Sequence, residues 1–266
     1  MKYLYLAISS IIITYSVVIL FVYFYQRNLL YHPSENNYLN DKIGFNYKEF
    51  FLKTDTNIEL KSWFIEKDLK KFKTILLFHG NAGNLFNRVY KLNELNKLDL
   101  NILIISWRSF SGNEGKPTEK NLYHDAEEAV KWLNSRGVNN KNIILYGESL
   151  GTGVAAEIGK RNVFGGIILE SPFTSITKAA KIYYPYLPVN IILKDRFDTI
   201  EKIQSITTPI LIMHGKQDNI VPQKMGLELF EKANEPKFNY FPENDDHMME
   251  YNDELLKNIE LFINKI

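Results

Sequence analysis

The chain has 266 residues, and its first 26 contain one ionisable side chain, Lys2. Setting them aside leaves 240 residues in which 31 basic side chains (32 less Lys2) balance 31 acidic ones. That balance argues against a polybasic nucleic-acid binder or an acidic tail. The absence of cysteine excludes disulfides, thiolate metal sites and a cysteine nucleophile.

Tyr3 to Tyr25 carries no charge, and from Leu4 to Phe24 only Ser9, Ser10, Thr14 and Ser16 interrupt an apolar run. About 20 helical residues cross a hydrocarbon core, and aromatic residues at both ends suit the headgroup level. A secretory signal would have a shorter apolar core and a small-residue cleavage site, whereas Gln26-Arg27-Asn28 follows here. Residues 1–26 are therefore expected to form an uncleaved single-pass anchor, and residues 27–266 one domain. Lys2 on one side and Arg27 and Lys42 on the other nearly balance, so orientation stays open.

In the body, Phe45–Leu52 and Ile58–Ile65 read as an antiparallel hairpin turned at Asp55-Thr56-Asn57. Continuous apolar runs follow at 73–79, 101–106, 142–146, 166–170 and 209–213, the pattern of parallel strands buried on both faces. Between them lie helical stretches. One has Leu122, Ala126, Ala129, Val130 and Leu133 on a single stripe, and another runs from Leu150 to about Lys160. A short strand-like run, Lys237–Phe241, and an amphipathic last helix close the chain. The order predicts a mostly parallel α/β sheet with helices on both faces. Residues 172–207, rich in Tyr and Pro, break the alternation as a cap-like insertion or an ordinary long loop.

Chemistry concentrates at Gly147-Glu148-Ser149-Leu150-Gly151, a G-x-S-x-G sequence between a strand and a helix. A nucleophile on so tight a turn needs glycine two residues away on each side, where a Cβ would collide. A serine hydroxyl also needs a general base oriented by a carboxylate, in the chain order serine, acid, histidine. Of the five histidines, only His214 and His247 follow Ser149. His214 ends a strand and is assigned a structural role; Asp218, in the turn beyond it, is the expected acid, with Asp245 or Asp246 as the alternatives. His247, in the loop before the last helix, is the expected base. An oxyanion hole requires two donors. The backbone N–H of Leu150 and that of Asn81, in the loop His79-Gly-Asn-Ala-Gly-Asn84, are the candidates. No cofactor is implied.

Three other readings compete. Gly151-Thr-Gly153-Val-Ala-Ala156 fits a dinucleotide fingerprint, with Glu170 at the end of the next strand, but it starts too late after its strand. A metallohydrolase lacks H-x-H or H-E-x-x-H spacing. A binding protein on an inactive hydrolase scaffold is the third.

Together these residues resemble the α/β-hydrolase superfamily over about residues 28–265. They are most similar to the membrane-anchored branch that includes eukaryotic depalmitoylase-like hydrolases and serine aminopeptidase-like bacterial members. The likeness lies in His79–Asn84, Trp107-Arg108 with Gly115-Lys-Pro117, Asp125-Ala126 with Trp132-Leu133, Gly147–Gly151, Glu170-Ser-Pro-Phe-Thr174, Asp195-Arg-Phe-Asp198, and His214-Gly-x-x-Asp218 with Val221-Pro222. It implies a Ser149–Asp218–His247 triad cleaving esters or thioesters of acyl-lipid or acyl-protein type, with amide hydrolysis as the alternative. Two departures stand out. Trp107-Arg-Ser-Phe-Ser111 replaces a Tyr-Arg-Gly-Tyr-Gly-like run, and Asp245-Asp246 precede His247 where small residues are usual.

Overall fold

The computed structural model describes residues 1–35 and 43–266; Lys42, counted above in the charge balance, lies outside them. Helix α1 (Lys2–Leu30) runs four residues beyond the expected end of the apolar segment at residue 26. Its last turns are tied to the body: Gln26 and Tyr31 are buried, and Arg27 pairs with the buried Asp195 at 2.9 Å.

The central sheet contains β1 (Lys48–Lys53), β2 (Glu59–Ile65), β3 (Thr74–Phe78), β4 (Asn101–Ile105), β5 (Ile143–Glu148), β6 (Gly166–Glu170), β7 (Ile210–Met213) and β8 (Lys237–Tyr240). Their spatial order is β8-β7-β6-β5-β3-β4-β2-β1. The β1–β2 hairpin is antiparallel, β2 joins β4 antiparallel, and every remaining pair is parallel. The hairpin turns at Asn57, with φ of 59°, a conformation asparagine tolerates.

Continuous apolar strands arise because both faces are covered. Along β3, Leu76 and Phe78 pack towards α3 (Glu119–Ser135) and α4 (Leu150–Arg161), while Ile75 and Leu77 pack towards α2 (Val89–Leu95) and α9 (Asp253–Ile263). All five members of the predicted α3 stripe are buried. Between β6 and β7, α5 (Ile176–Tyr183) and α6 (Val189–Ile192) lie with α1 around a pocket at the sheet's carboxyl edge. The third helix of that stretch, α7 (Thr199–Ile203), packs on α4, and α8 (Gln223–Lys232) follows β7.

The β5–α4 turn controls what this edge presents. A Cβ on Gly147 would lie 2.5 Å from the Gly151 carbonyl oxygen, and one on Gly151 would lie 1.9 Å from that of Phe78. Only glycine lets α4 press onto β3 so closely. A Cβ on Gly153 would lie 3.0 Å from Phe197. The Gly151–Ala156 run is thus helix packing against sheet and side chains, and no cradle for a pyrophosphate opens there.

The segment Trp107–Ser111 explains its own departure from the family pattern. Ser109 and Ser111, which stand at the two glycine positions of the Tyr-Arg-Gly-Tyr-Gly-like run that the resemblance implies, occupy positive φ, 72° and 55°. The Ser111 hydroxyl meets that of Ser106 at 2.7 Å and accepts from the Leu85 N–H at 3.2 Å. Among the described residues the Ser109 side chain makes no such bond. Positive φ costs a non-glycine residue on the order of 1 kcal/mol. Ser109→Gly should therefore raise stability by about 0.5–1 kcal/mol, and Ser111→Gly should lower it. Denaturant midpoints of the two variants in detergent measure the contrast.

Candidate active site

Five loops converge at the carboxyl ends of the parallel strands, where sites on open α/β sheets collect. Ser149 sits between β5 and α4 with φ of 48° and ψ of −111°, a strained conformation that lifts its hydroxyl out of the sheet. His247 Nε2 lies 2.9 Å from Ser149 Oγ, and His247 Nδ1 lies 2.7 Å from Asp218 Oδ2. The partners set the tautomer: Nδ1–H donates to the carboxylate, and Nε2 accepts from the serine hydroxyl. Residues separated by 98 and 29 positions in sequence thus form one hydrogen-bonded line.

Asp218 is saturated with donors. Its Oδ1 accepts from the N–H groups of Ile220 (2.8 Å) and Val221 (2.7 Å), and its Oδ2 also accepts from His214 Nε2 at 3.0 Å. Burial opposes charge there, but the hydrogen bonds from His214, His247 and Val221 outweigh it. The carboxyl is held well below the usual carboxylate range. His214, assigned a structural role from sequence, therefore touches the same carboxylate oxygen as His247. Its Nε2 also meets the Val221 carbonyl at 2.8 Å, and its Nδ1 is buried, packed over Gly226, with no hydrogen-bond partner among the described residues. The loops bearing Asp218 and His247 touch directly: the Gln217 N–H donates to the Asp245 carbonyl at 2.9 Å. A Cβ on Gly215 would lie 2.3 Å from that oxygen. Ser171, at φ of 49°, fixes the His247 carbonyl with its hydroxyl at 2.8 Å.

Asn81 and Leu150 line the same pocket as Ser149. Leu150 is the first residue of α4, so its N–H has no intrahelical acceptor, and the helix dipole favours negative charge there. Among the described residues the Asn81 N–H has no hydrogen-bond partner either. The Asn81 side chain donates to the Leu30 carbonyl at the end of α1 (2.8 Å), and its carbonyl accepts from the His32 N–H.

Beneath the elbow lies a buried ionic cluster that sequence reasoning missed. Lys91, fully buried on α2, contacts Glu148 at 2.6 Å and Glu170 at 2.9 Å, and Arg88 contacts Glu148 at 2.8 Å. The hydroxyls of Tyr146 and Tyr251 each lie 2.6 Å from Glu170 Oε2 and touch one another, so two protons are shared among the three contacts. Burial works against every charge here, yet the opposed pairs prevail. Arg88 and Lys91 hold the Glu148 carboxyl well below its ordinary range, and Glu148 and Glu170 hold the Lys91 ammonium above its own. Glu148 precedes Ser149 and also accepts from the Gly80 N–H at 3.2 Å, so one carboxylate braces both the elbow and the Asn81 loop. The only local signal was Glu148, the unexplained second residue of G-x-S-x-G.

His79 is equally enclosed. Its Nδ1 donates to the Gly80 carbonyl (2.8 Å), and its Nε2 accepts from the Trp107 N–H (3.3 Å). Burial, reinforced by nearby Arg88, pushes its pKa down to about 3. Among the described residues one trio, Asp55, His124 and Glu128, has side-chain atoms close enough to share a cation; it includes none of the residues around Ser149.

Residues 109–258, more than half of the chain, match the model of the prolyl oligopeptidase family. The chain belongs to the α/β-hydrolase superfamily. The hydrolase is 30% identical to the alpha/beta hydrolase domain-containing protein WAV2 of Arabidopsis thaliana, over 72% of this chain and 68% of that protein. It is 32% identical to alpha/beta hydrolase domain-containing protein 17B of Homo sapiens, over 70% of this chain and 64% of the relative. In shape it is similar to an esterase of Pyrococcus furiosus, with a TM-score of 0.71 and 20% identity, over 89% of this chain and 98% of the other.

Two outcomes test the buried groups. Lys91→Met should cost about 3–5 kcal/mol by stranding the Glu170 carboxylate and leaving Glu148 to Arg88 alone, and adding Glu170→Gln should recover part of that loss. Unfolding of the single and double variants in denaturant gives the coupling. His79 is neutral in the folded state and protonates below about 6.5 once unfolded. Its contribution is fully present above that pH and disappears as pH falls towards 3. The wild type should lose about 1.4 kcal/mol per pH unit in that window beyond what His79→Asn loses. Equal slopes in pH-dependent unfolding would refute the assignment.

Proposed function

We propose that the hydrolase is a membrane-anchored serine hydrolase cleaving carboxylic esters or thioesters of acyl chains. Ser149 Oγ attacks the acyl carbonyl while His247 Nε2 takes its proton, and Asp218 stabilises the imidazolium. The Asn81 and Leu150 N–H groups hold the oxyanion, each worth about 3–4 kcal/mol to the transition state. His247 then protonates the departing alcohol or thiol, leaving an acyl-enzyme. Water, deprotonated by the same imidazole, releases the acid. The continuous Ser149–His247–Asp218 line, at 2.9 and 2.7 Å, is the observation that carries this reading.

The pocket favours an acyl substrate. It encloses about 410 Å³, lined by Val22, Leu30, Phe173, Ile176, Tyr183 and Leu193 among other residues. Among the described residues, no Asp, Glu, Lys or Arg lines it. A free α-ammonium would need a carboxylate partner in so apolar a space. That weakens the aminopeptidase alternative, which the family match to prolyl oligopeptidases keeps in view.

For the anchor, α1 has 29 residues, and its most apolar 18-residue window has a mean hydropathy of 2.3 and no buried residue, unlike a core helix. Its last two turns complete the pocket wall through Val22, Gln26, Leu29 and Leu30. Cleavage as a signal would strip that wall and leave Asp195 without Arg27, which supports retention.

Fluorophosphonate should label the wild type and not Ser149→Ala, and that variant should lose about 10⁴-fold or more in kcat. On p-nitrophenyl esters of rising chain length beside aminoacyl anilides, ester turnover should dominate. Anilide turnover alone would reverse the preference.

A further inference from the structure

We propose that the roof of the pocket is itself inserted in the bilayer. The segment Ile182–Leu193 sits in the leaflet beside α1, and the space above Ser149 opens sideways among lipid chains. The inference rests on the anchor reading and goes beyond it, because a tether alone would leave the roof in water.

Depth is the first argument. Tyr15, Ile19, Val22, Gln26 and Leu30 recur on α1 at spacings of 4, 3, 4 and 4, one face of a helix. That face meets the roof along its length. Gln26 Nε2 donates to the Ile192 carbonyl at 2.9 Å, and Gln26 Oε1 accepts from the Lys194 N–H at 2.7 Å. Further along, the Tyr15 hydroxyl donates to the Tyr186 carbonyl at 2.6 Å. The eleven residue steps from Tyr15 to Gln26 span about 16 Å of helix. With Tyr23 and Tyr25 at headgroup level, Tyr15 lies on the order of 12 Å deeper, inside a hydrocarbon core about 30 Å thick. Whatever touches Tyr15 shares that depth.

Composition agrees. Ile182-Tyr-Tyr-Pro-Tyr-Leu-Pro-Val-Asn-Ile-Ile-Leu193 contains no charge and is bounded by Lys181 and Lys194. Lys194 Nζ lies 4.0 Å from the Tyr23 ring centroid, a cation at the aromatic level of the interface. Ile182, Tyr184, Tyr186 and Ile191 are exposed, Ile191 at 83%, as are most of the apolar residues of α1.

The backbone fits lipid as well, where an unpaired N–H costs several kcal/mol. Pro185 and Pro188 have none to satisfy. Of the eight N–H groups from Tyr184 to Leu193, six, those of Tyr184, Leu187, Val189, Ile191, Ile192 and Leu193, donate to carbonyls within residues 180–189, and those of Tyr186 and Asn190 have no protein acceptor among the described residues. The Tyr186 carbonyl is satisfied by Tyr15. Because α1 forms one wall, an acyl chain could reach Ser149 from the leaflet without crossing water. The occupant of this face is thus a phospholipid bilayer, and the substrate is a chain already embedded in it.

The cysteine-free chain allows a direct test. Ile191→Cys, Tyr186→Cys and Val163→Cys, the last exposed at the opposite edge of the sheet, are nitroxide-labelled in the full chain. Each is reconstituted in phosphatidylcholine–phosphatidylglycerol vesicles. Labels at 191 and 186 should collide with oxygen and be shielded from a nickel chelate, and the label at 163 should show the reverse. Nickel access at 191 equal to that at 163 would overturn insertion, and so would shielding from both reagents, which would mean a protein partner. In a second arm, Ile191→Glu should lower turnover of a long-chain ester held in the vesicles at least about tenfold. Its turnover of a soluble short-chain ester and its fluorophosphonate labelling should not change. An equal loss on both esters would overturn the lateral route. If no variant reacts with fluorophosphonate, the hydrolase chemistry has failed while the depth measurement still decides insertion.

Discussion

Everything at the carboxyl edge depends on how closely α4 approaches β3. The helix can press there only because Gly147 and Gly151 have no Cβ, and that contact forces Ser149 into positive φ with its hydroxyl raised. A looser helix would let Ser149 relax, and the 2.9 Å separation from His247 would be lost. Strain of this kind persists only where surroundings over-determine it. The Lys91–Glu148–Glu170 cluster supplies that determination from below, because moving Glu148 would break buried ionic contacts as well as a turn.

The same economy governs the far side of the site. Asp218 Oδ2 accepts from two imidazoles and Oδ1 from two backbone amides, so the carboxylate can neither rotate nor easily take a proton. A fixed acceptor orients His247, and Ser171 fixes its carbonyl from behind. Rigidity here contrasts with the roof, which is built of two short helices, two prolines and exposed aromatic residues. A rigid site beneath an apolar roof suits an acyl group that must be gripped at one end and accommodated along its length.

α1 has two roles in the architecture that cannot be separated. Its apolar length is what a bilayer would require, and its last turns are also pieces of the pocket, held by Gln26, Arg27 and the Asn81–Leu30 contact. Through Asn81, α1 reaches the very loop proposed to supply the second oxyanion donor. The apolar helix and the site are therefore mechanically continuous.

The strands, the α3 stripe, the hairpin and the elbow were legible in the sequence because their causes are local: period, glycine at fixed offsets, continuous apolar runs. The order of Ser149, Asp218 and His247 was legible for the same reason, since chain order and strand ends are one-dimensional facts. Tertiary structure alone decided the rest. Lys91 reads as an ordinary polar helix residue until Glu148 and Glu170, 57 and 79 positions away, enclose it. His214 reads as a strand-end residue until the turn back to Asp218 brings its ring onto the carboxylate. The Tyr/Pro-rich stretch reads equally as loop or roof, because only its contact with α1 fixes where it lies. Long-range neighbours leave no mark on local periodicity, and so burial and ion pairing became visible only in the fold.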